Sequence, residues 1–149
     1  MASGASGGDL LFHEVCGELG LAHQLYLPLP SDLFRNESVS PAGRFWEDEF
    51  DGLLKKCPQP SVLSTSAELP VWLSAKRDYT AWQRANLWLV YEALTVGAKN
   101  FTLLALWDGV KTEGIGGTYH MRVLAQQFGA ALVTISLTDL VNTSLAALA

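Results

Sequence analysis

The sequence predicts an α/β domain built on a mainly parallel sheet. Three observations carry this. Segments with apolar residues at helical spacing alternate with short apolar runs. The two clearest runs, "FTLLALW" (101–107) and "ALVTIS" (131–136), are apolar almost throughout, the pattern of strands covered on both faces. Glycine-rich turns lead into two of the helical segments. At 149 residues and 49% hydrophobic, the chain fits one domain with a sizeable core, either whole or as a fragment of a longer multidomain protein.

Residues 9–19 form the first predicted helix. Leu11, Phe12, Val15, Cys16 and Leu19 give its apolar face, Asp9 can cap its start, and Gly20 suits a left-handed end. "HQLYLPLP" (23–30) follows as a strand closed by Pro28 and Pro30. Residues 31–43, rich in Ser, Asp, Asn and Pro, are expected to be a loop. Residues 44–56 are expected to be an amphipathic helix, with Phe45, Trp46, Phe50, Leu53 and Leu54 on its buried side. Glu47, Asp48, Glu49 and Asp51 lie in its N-terminal half, where the helix dipole favours negative charge. A linker with a short strand at 62–65 comes next.

Residues 79–96 form the longest predicted helix, buried through Trp82, Ala85, Leu89, Ala93 and Val96, with Gly97 as its stop. Asn86 sits among apolar neighbours there and needs a partner, either a ligand or a loop carbonyl. The strand 101–107, a glycine loop, a helix over 118–128 and the strand 131–136 complete the pattern. Met121, Leu124, Ala125 and Phe128 mark the inner side of that helix, Gly129 ends it, and the tail 140–149 is weakly patterned.

The net charge of −5 argues against a general nucleic-acid binder. Cys16 and Cys57 form no metal spacing and are expected as reduced thiols. No signal-peptide pattern and no apolar stretch of about 18 residues is present, so the expected setting is cytoplasmic, away from membranes. His13, His23 and His120 are well separated, and no metal site is expected from them. Trp72, Tyr79 and Trp82 flank Lys76 and Arg77, a cluster better suited to anchoring the long helix than to stacking a base.

Chemistry concentrates in the two glycine turns. In open parallel sheets, ligands bind beyond the carboxyl ends of the strands. Glycine allows close backbone approach, and the first amides of a helix attract an anion. In "SGASGGD" the candidates are Ser3, Ser6, Gly7, Gly8 and Asp9. In "DGVKTEGIGGT" they are Asp108, Gly109, Gly116, Gly117 and Thr118, with His120 just beyond. Neither turn carries the Gly-Lys-Ser/Thr of a P-loop or a full dinucleotide fingerprint.

"SGASGGDLLFHEVCGELGL" and "WDGVKTEGIGGTYHMRVLAQQFG" resemble the two signature turns of the SLOG superfamily, the DprA-, LOG- and YpsA-like nucleotide-binding domains. The second is also similar to the loops of nucleoside deoxyribosyltransferases. The resemblance spans residues 3–136, with its specific matches in the two turns, and similar segments occur in bacterial multidomain signalling proteins. It implies a Rossmann-like three-layer domain, a nucleotide or nucleotide derivative as ligand, and phosphate at Gly116, Gly117 and Thr118. Gly7, Gly8 and Asp9 would face it, and Asp108 would meet a ribose hydroxyl. Enzymes of these groups carry a glutamate three residues after the loop threonine, where this chain has Met121. A thioether cannot replace that carboxylate, so a non-catalytic sensor without a cofactor is the leading expectation. A nucleosidase, phosphoribohydrolase or deoxyribosyltransferase working through Glu14, Asp108 or Glu113 is the alternative, and a structural interaction domain the third. The family also has a strand before its first turn. Only Met1 and Ala2 stand there, so the expectation is either that the strand has been lost or that the chain is a fragment of a longer protein, and a sheet lacking that strand would expose an edge to another chain.

Overall fold

The computed structural model describes residues 1–66, 68, 79–97, 101–109, 111 and 115–140. The chain divides into two compact units, Met1–Ala85 and Asn86–Ala149. Among the described residues each carries a two-stranded parallel sheet, which together with the helices gives the α/β character expected. Trp72, Lys76, Arg77, Glu113 and the residues 141–149 lie outside the described residues.

In the first unit, Ala2 makes a parallel bridge to Leu25, and the chain turns through 3–7 into α1 (Gly8–Glu18). The strand expected to be missing is thus represented by one bridged residue, with Ala2 N–H donating to Gln24 O and Tyr26 N–H to Ala2 O. Gly20, at φ 66°, closes α1 with Leu21 N–H on Cys16 O and Gly20 N–H on Gly17 O. That paired arrangement satisfies the last carbonyls of the helix. Asp9 does not cap the helix. It lies inside the first turn and accepts from the Ser3 hydroxyl.

The buried side of α1 is Leu10, His13 and Cys16, whereas Leu11, Val15 and Leu19 of the expected apolar face are exposed. A histidine can occupy the inner face because both of its ring nitrogens find partners, Ser3 O and His23.

Segment 25–29 is buried throughout; beside the bridge of Leu25 to Ala2, β1 (Tyr26–Leu27) pairs with β2 (Ser61–Val62). Pairing at 61–62 replaces the strand expected at 62–65. The expected loop 31–43 is helical instead: α2 (Ser31–Phe34), a π turn (Arg35–Val39) and a 3-10 turn (Ser40–Ala42). Burial of Phe34 and Val39 overrides the polar composition of that segment. Arg35 fixes it to α3 (Arg44–Lys56), donating to both oxygens of Asp51 at 3.0 and 3.2 Å and to Glu47 at 3.0 Å. On α3, Phe50 and Leu53 enter the core while Phe45 is exposed. Five residues at about 100° each place Phe45 roughly 140° from Phe50 around the helix. The core joins Leu10, Leu25, Leu27, Leu29, Phe34 and Phe50, with Trp82 against it.

The helix α4 (Ala81–Thr95) starts in the first unit and continues into the second. Thr80 and Gln83 cap it reciprocally: Gln83 N–H donates to Thr80 Oγ1 at 3.2 Å and Thr80 N–H to Gln83 Oε1 at 2.9 Å. Val96, expected on its inner side, is exposed just past its end.

In the second unit, β3 (Thr102–Trp107), α5 (Thr118–Gln127) and β4 (Ala131–Ser136) form a strand–helix–strand unit. The strands are parallel and in register from Thr102 opposite Ala131 to Trp107 opposite Ser136. Gly129, at φ 81°, closes α5 as Gly20 closes α1. Met121, Leu124 and Phe128 pack around buried Val90, Phe101 and Ala125, as their spacing predicts. Among the described residues, however, the strands are not covered on both faces. Leu103 and Leu132 pack into this core, while Leu104, Val133 and Ile135 on the other face are exposed. Among the described residues, no helix is long and apolar enough to cross a membrane.

Candidate ligand site

The first glycine turn is held together by internal hydrogen bonds. Ser3 Oγ donates to Asp9 and accepts from Ala5 N–H at 3.3 Å, and Ser6 Oγ donates to Ser38 O at 3.1 Å. Gly7, at φ 94°, turns the chain into α1 at Gly8. Burial pushes the Asp9 carboxyl up from its ordinary pKa, partly offset by the Ser3 hydroxyl and the Ala5 amide. The hydroxyls expected to meet a ligand therefore organise the turn itself. The carboxyl of Asp9 disfavours an anion there in its charged form.

The second turn has a different character. β3 delivers Trp107 to its carboxyl end, followed by exposed Asp108 and Gly109. The chain re-enters regular structure through Gly116 and Gly117, and Thr118 is the first residue of α5. Gly117 has no side chain to cap the helix, and its carbonyl takes the Met121 N–H at 3.2 Å. The N–H groups of Thr118, Tyr119 and His120 belong to the first turn and have no acceptor within the helix. This is the arrangement in which a helix start attracts an anion.

Three side chains outside the glycine pattern shape this corner. Asn86 on α4 is half-buried and finds a loop carbonyl, donating through Nδ2 to Gly116 O at 2.7 Å. The same Nδ2 lies 3.0 Å from Nδ1 of His120, whose pKa burial holds below its ordinary value. Arg122, one turn into α5, sets its guanidinium 4.5 Å over the Trp107 ring and donates to Thr134 Oγ1 on β4. Tyr119 stacks against Trp107 with ring centroids 6.3 Å apart. Among the described residues no carboxylate forms an ion pair with Arg122, so its charge is not neutralised by a described neighbour.

Sequence reasoning missed Arg122 and its platform. The available signal was parity: Trp107 and Thr134 fall on the same sheet face in parallel register, the face α5 covers.

Of the carboxylates considered for catalysis, Asp108 is exposed at the strand end, Glu113 lies outside the described residues, and Glu14 is on α1 in the first unit. There Glu14 borders a cavity of about 90 Å³ with His13, His23, Glu49 and Lys56. Met121, at the position where the enzymes carry glutamate, packs into the core of the second unit. The two glycine turns belong to different units. Among the described residues, no group of three or more His, Cys, Asp or Glu side chains is placed to hold a metal ion, and Cys16 and Cys57 are free thiols.

Comparison with known proteins gives no match to a family model, a curated protein or a solved structure.

Proposed function

We propose that this chain is a nucleotide or nucleotide-derivative binding module of the Rossmann-like, SLOG type, acting as a sensor rather than a catalyst. The observation that carries the reading is the corner where β3 ends and α5 begins. A parallel strand, a glycine turn and a helix start whose N-cap, Gly117, supplies no capping side chain stand beside a guanidinium with no described carboxylate partner. The helix start and Arg122 suit a phosphate, and Asp108 suits a sugar hydroxyl. Met121 in the core supports sensing over glycosidic cleavage, since no carboxylate occupies that position.

The test is thermal stability against a panel of nucleotides and nucleotide sugars. A ligand bound only by the native chain at a hundred times its Kd adds about 2.7 kcal/mol, enough to move Tm by several degrees. A shift with one class of ligand, lost in Gly117→Val or Arg122→Gln, is expected. No shift on a folded sample overturns the reading in favour of an interaction domain. Release of free base from a nucleoside monophosphate, abolished by Asp108→Asn, overturns the sensor assignment in favour of an enzyme.

A further inference from the structure

We infer that Asn86 and His120 form a proton-sensitive latch on the glycine turn, which holds Gly116 in place while His120 is neutral and releases it when His120 is protonated. Its consequence for ligand binding rests on the reading of this corner as the ligand site.

Donor and acceptor roles fix the arrangement. Gly116 O can only accept, so the amide atom 2.7 Å away must be the NH₂ group of Asn86. That fixes the orientation of the amide. Its second N–H then points at His120 Nδ1, 3.0 Å away, which must accept. Neutral His120 therefore carries its proton on Nε2. An imidazolium would set N–H against N–H. Turning the amide over to offer Oδ1 to the imidazolium would place that oxygen against Gly116 O instead. The clash beside the positive ring is relieved when Asn86 turns over or swings away, and either movement breaks its bond to Gly116 O.

The latch matters because Gly116 is in the left-handed region, at φ 88°, immediately before the residues that present the helix amides. Its carbonyl sets the direction in which the turn enters α5. The charged and titratable groups on the surrounding elements are, among the described residues, Tyr119 and Arg122 on α5, Asp108 and Lys111 after β3, Asp139 after β4, and Arg84, Tyr91 and Glu92 on α4. Burial, rather than any of their charges, is what lowers the His120 pKa. Proton uptake at His120 is then paid by the turn.

The test reads the latch with and without ligand. Histidine ¹⁵N shifts report which ring nitrogen carries the proton, and the Gly116 and Gly117 amide resonances report the turn. Both are followed from pH 8 to 5 in the full chain. The expected result is Nδ1 unprotonated at pH 8, with the glycine amides titrating together with His120. Binding of AMP and of inorganic phosphate should weaken from pH 7.5 to 5.5, by less than the roughly tenfold that one proton competing at an ordinary histidine gives over that range, because burial holds His120 lower. In Asn86→Ala the amides should stop following His120. In Asn86→Asp, where the carboxylate favours the imidazolium, His120 should titrate at higher pH.

Glycine amides that stay still while His120 titrates overturn the latch. So does affinity that rises on acidification, which would make His120 a direct cationic contact. Failure of AMP and phosphate to bind at any pH overturns the ligand reading and its pH dependence, while the glycine amides still decide the latch.

Discussion

The Nδ1 atoms of His13 and His23 face each other at 2.8 Å, although the residues are ten apart in sequence. His13 is 2% exposed, and its Nε2–H donates to Ser3 O at 3.0 Å. Its Nδ1 must then accept, so the proton between the rings belongs to His23. Only one proton fits that contact. Burial, more than the charge of His23, pushes the His13 pKa below the ordinary 6.5, against the opposing pull of the Ser3 and Ala2 backbone.

A histidine lowered in this way contributes stability that is complete above its unfolded pKa and is lost as pH falls through the folded value. Urea midpoints are expected to drop between pH 7.5 and 5.5. His13→Leu should cost about 1–3 kcal/mol at pH 7.5, because Ser3 O and His23 lose their partner. It should also flatten the pH slope, and an unchanged slope in that variant would show the pair is not its source.

Asp9 acts with the opposite sign. Its carboxyl, raised above 3.8 by burial, keeps its proton longer in the folded chain than in the unfolded one. The stability this group favours is present below the unfolded pKa and lost as pH rises through the folded value. At pH 7 the unfolded chain carries this carboxylate, and folding must either bury the charge against the Ser3 hydroxyl and the Ala5 amide or take up a proton, each at a cost. Asp9→Asn keeps an acceptor for Ser3 and removes that cost. Its urea midpoint should exceed that of the unaltered chain at pH 7, and the gain should shrink toward pH 4. A loss of stability at pH 7 would mean that the charged hydrogen bonds outweigh desolvation.

The second unit was the more legible part of the chain. Its strands, its helix and the stop at Gly129 follow from periodicity, because Met121, Leu124, Ala125 and Phe128 recur at helical spacing in a segment bounded by glycine. The need of Asn86 for a partner was equally visible, since an amide among apolar neighbours must bond to something, and Gly116 O meets that need. The capping pattern Thr80-x-x-Gln83 is likewise a local signal, with each residue's side chain bonding the other's backbone N–H. The first unit was harder to read because tertiary burial overrode local pattern. Phe34 and Val39 draw a polar segment into helix, and paired imidazoles let α1 turn a histidine inward and expose Val15 and Leu19. No periodicity encodes that pairing. The exposed Leu104, Val133 and Ile135 show the same limit, because an apolar run does not say how many faces have a neighbour.

Gly4 has no room for a side chain. A Cβ there would stand 2.8 Å from Phe50 Cε2 and 3.2 Å from Leu25 Cδ1, both in the core. The Phe50 ring is fully buried and has little room to move. Gly4→Ala should therefore cost about 1–3 kcal/mol by overpacking, read as a lower Tm. Gly17→Ala, which meets nothing within 4 Å on α1, is the control and should be neutral or slightly stabilising. Equal Tm values for the two variants would show that the N-terminal turn is not packed against Phe50.

Arg122 joins stability to the proposed site. Its guanidinium stacks on Trp107 and bonds Thr134, tying α5 to the ends of both strands. Removing the cation from the ring should cost about 0.5–1 kcal/mol at this half-exposed position. Arg122→Lys separates the roles. Lysine keeps the charge but lacks the planar fork that stacks and donates in fixed directions. If Arg122 works as a bare charge, nucleotide-induced Tm shifts should survive in Arg122→Lys and vanish in Arg122→Gln. The stack and the Thr134 bond point the other way: the planar group is what positions the charge, so both variants should lose the shift. A shift retained in Arg122→Lys would reduce the role of Trp107 to packing.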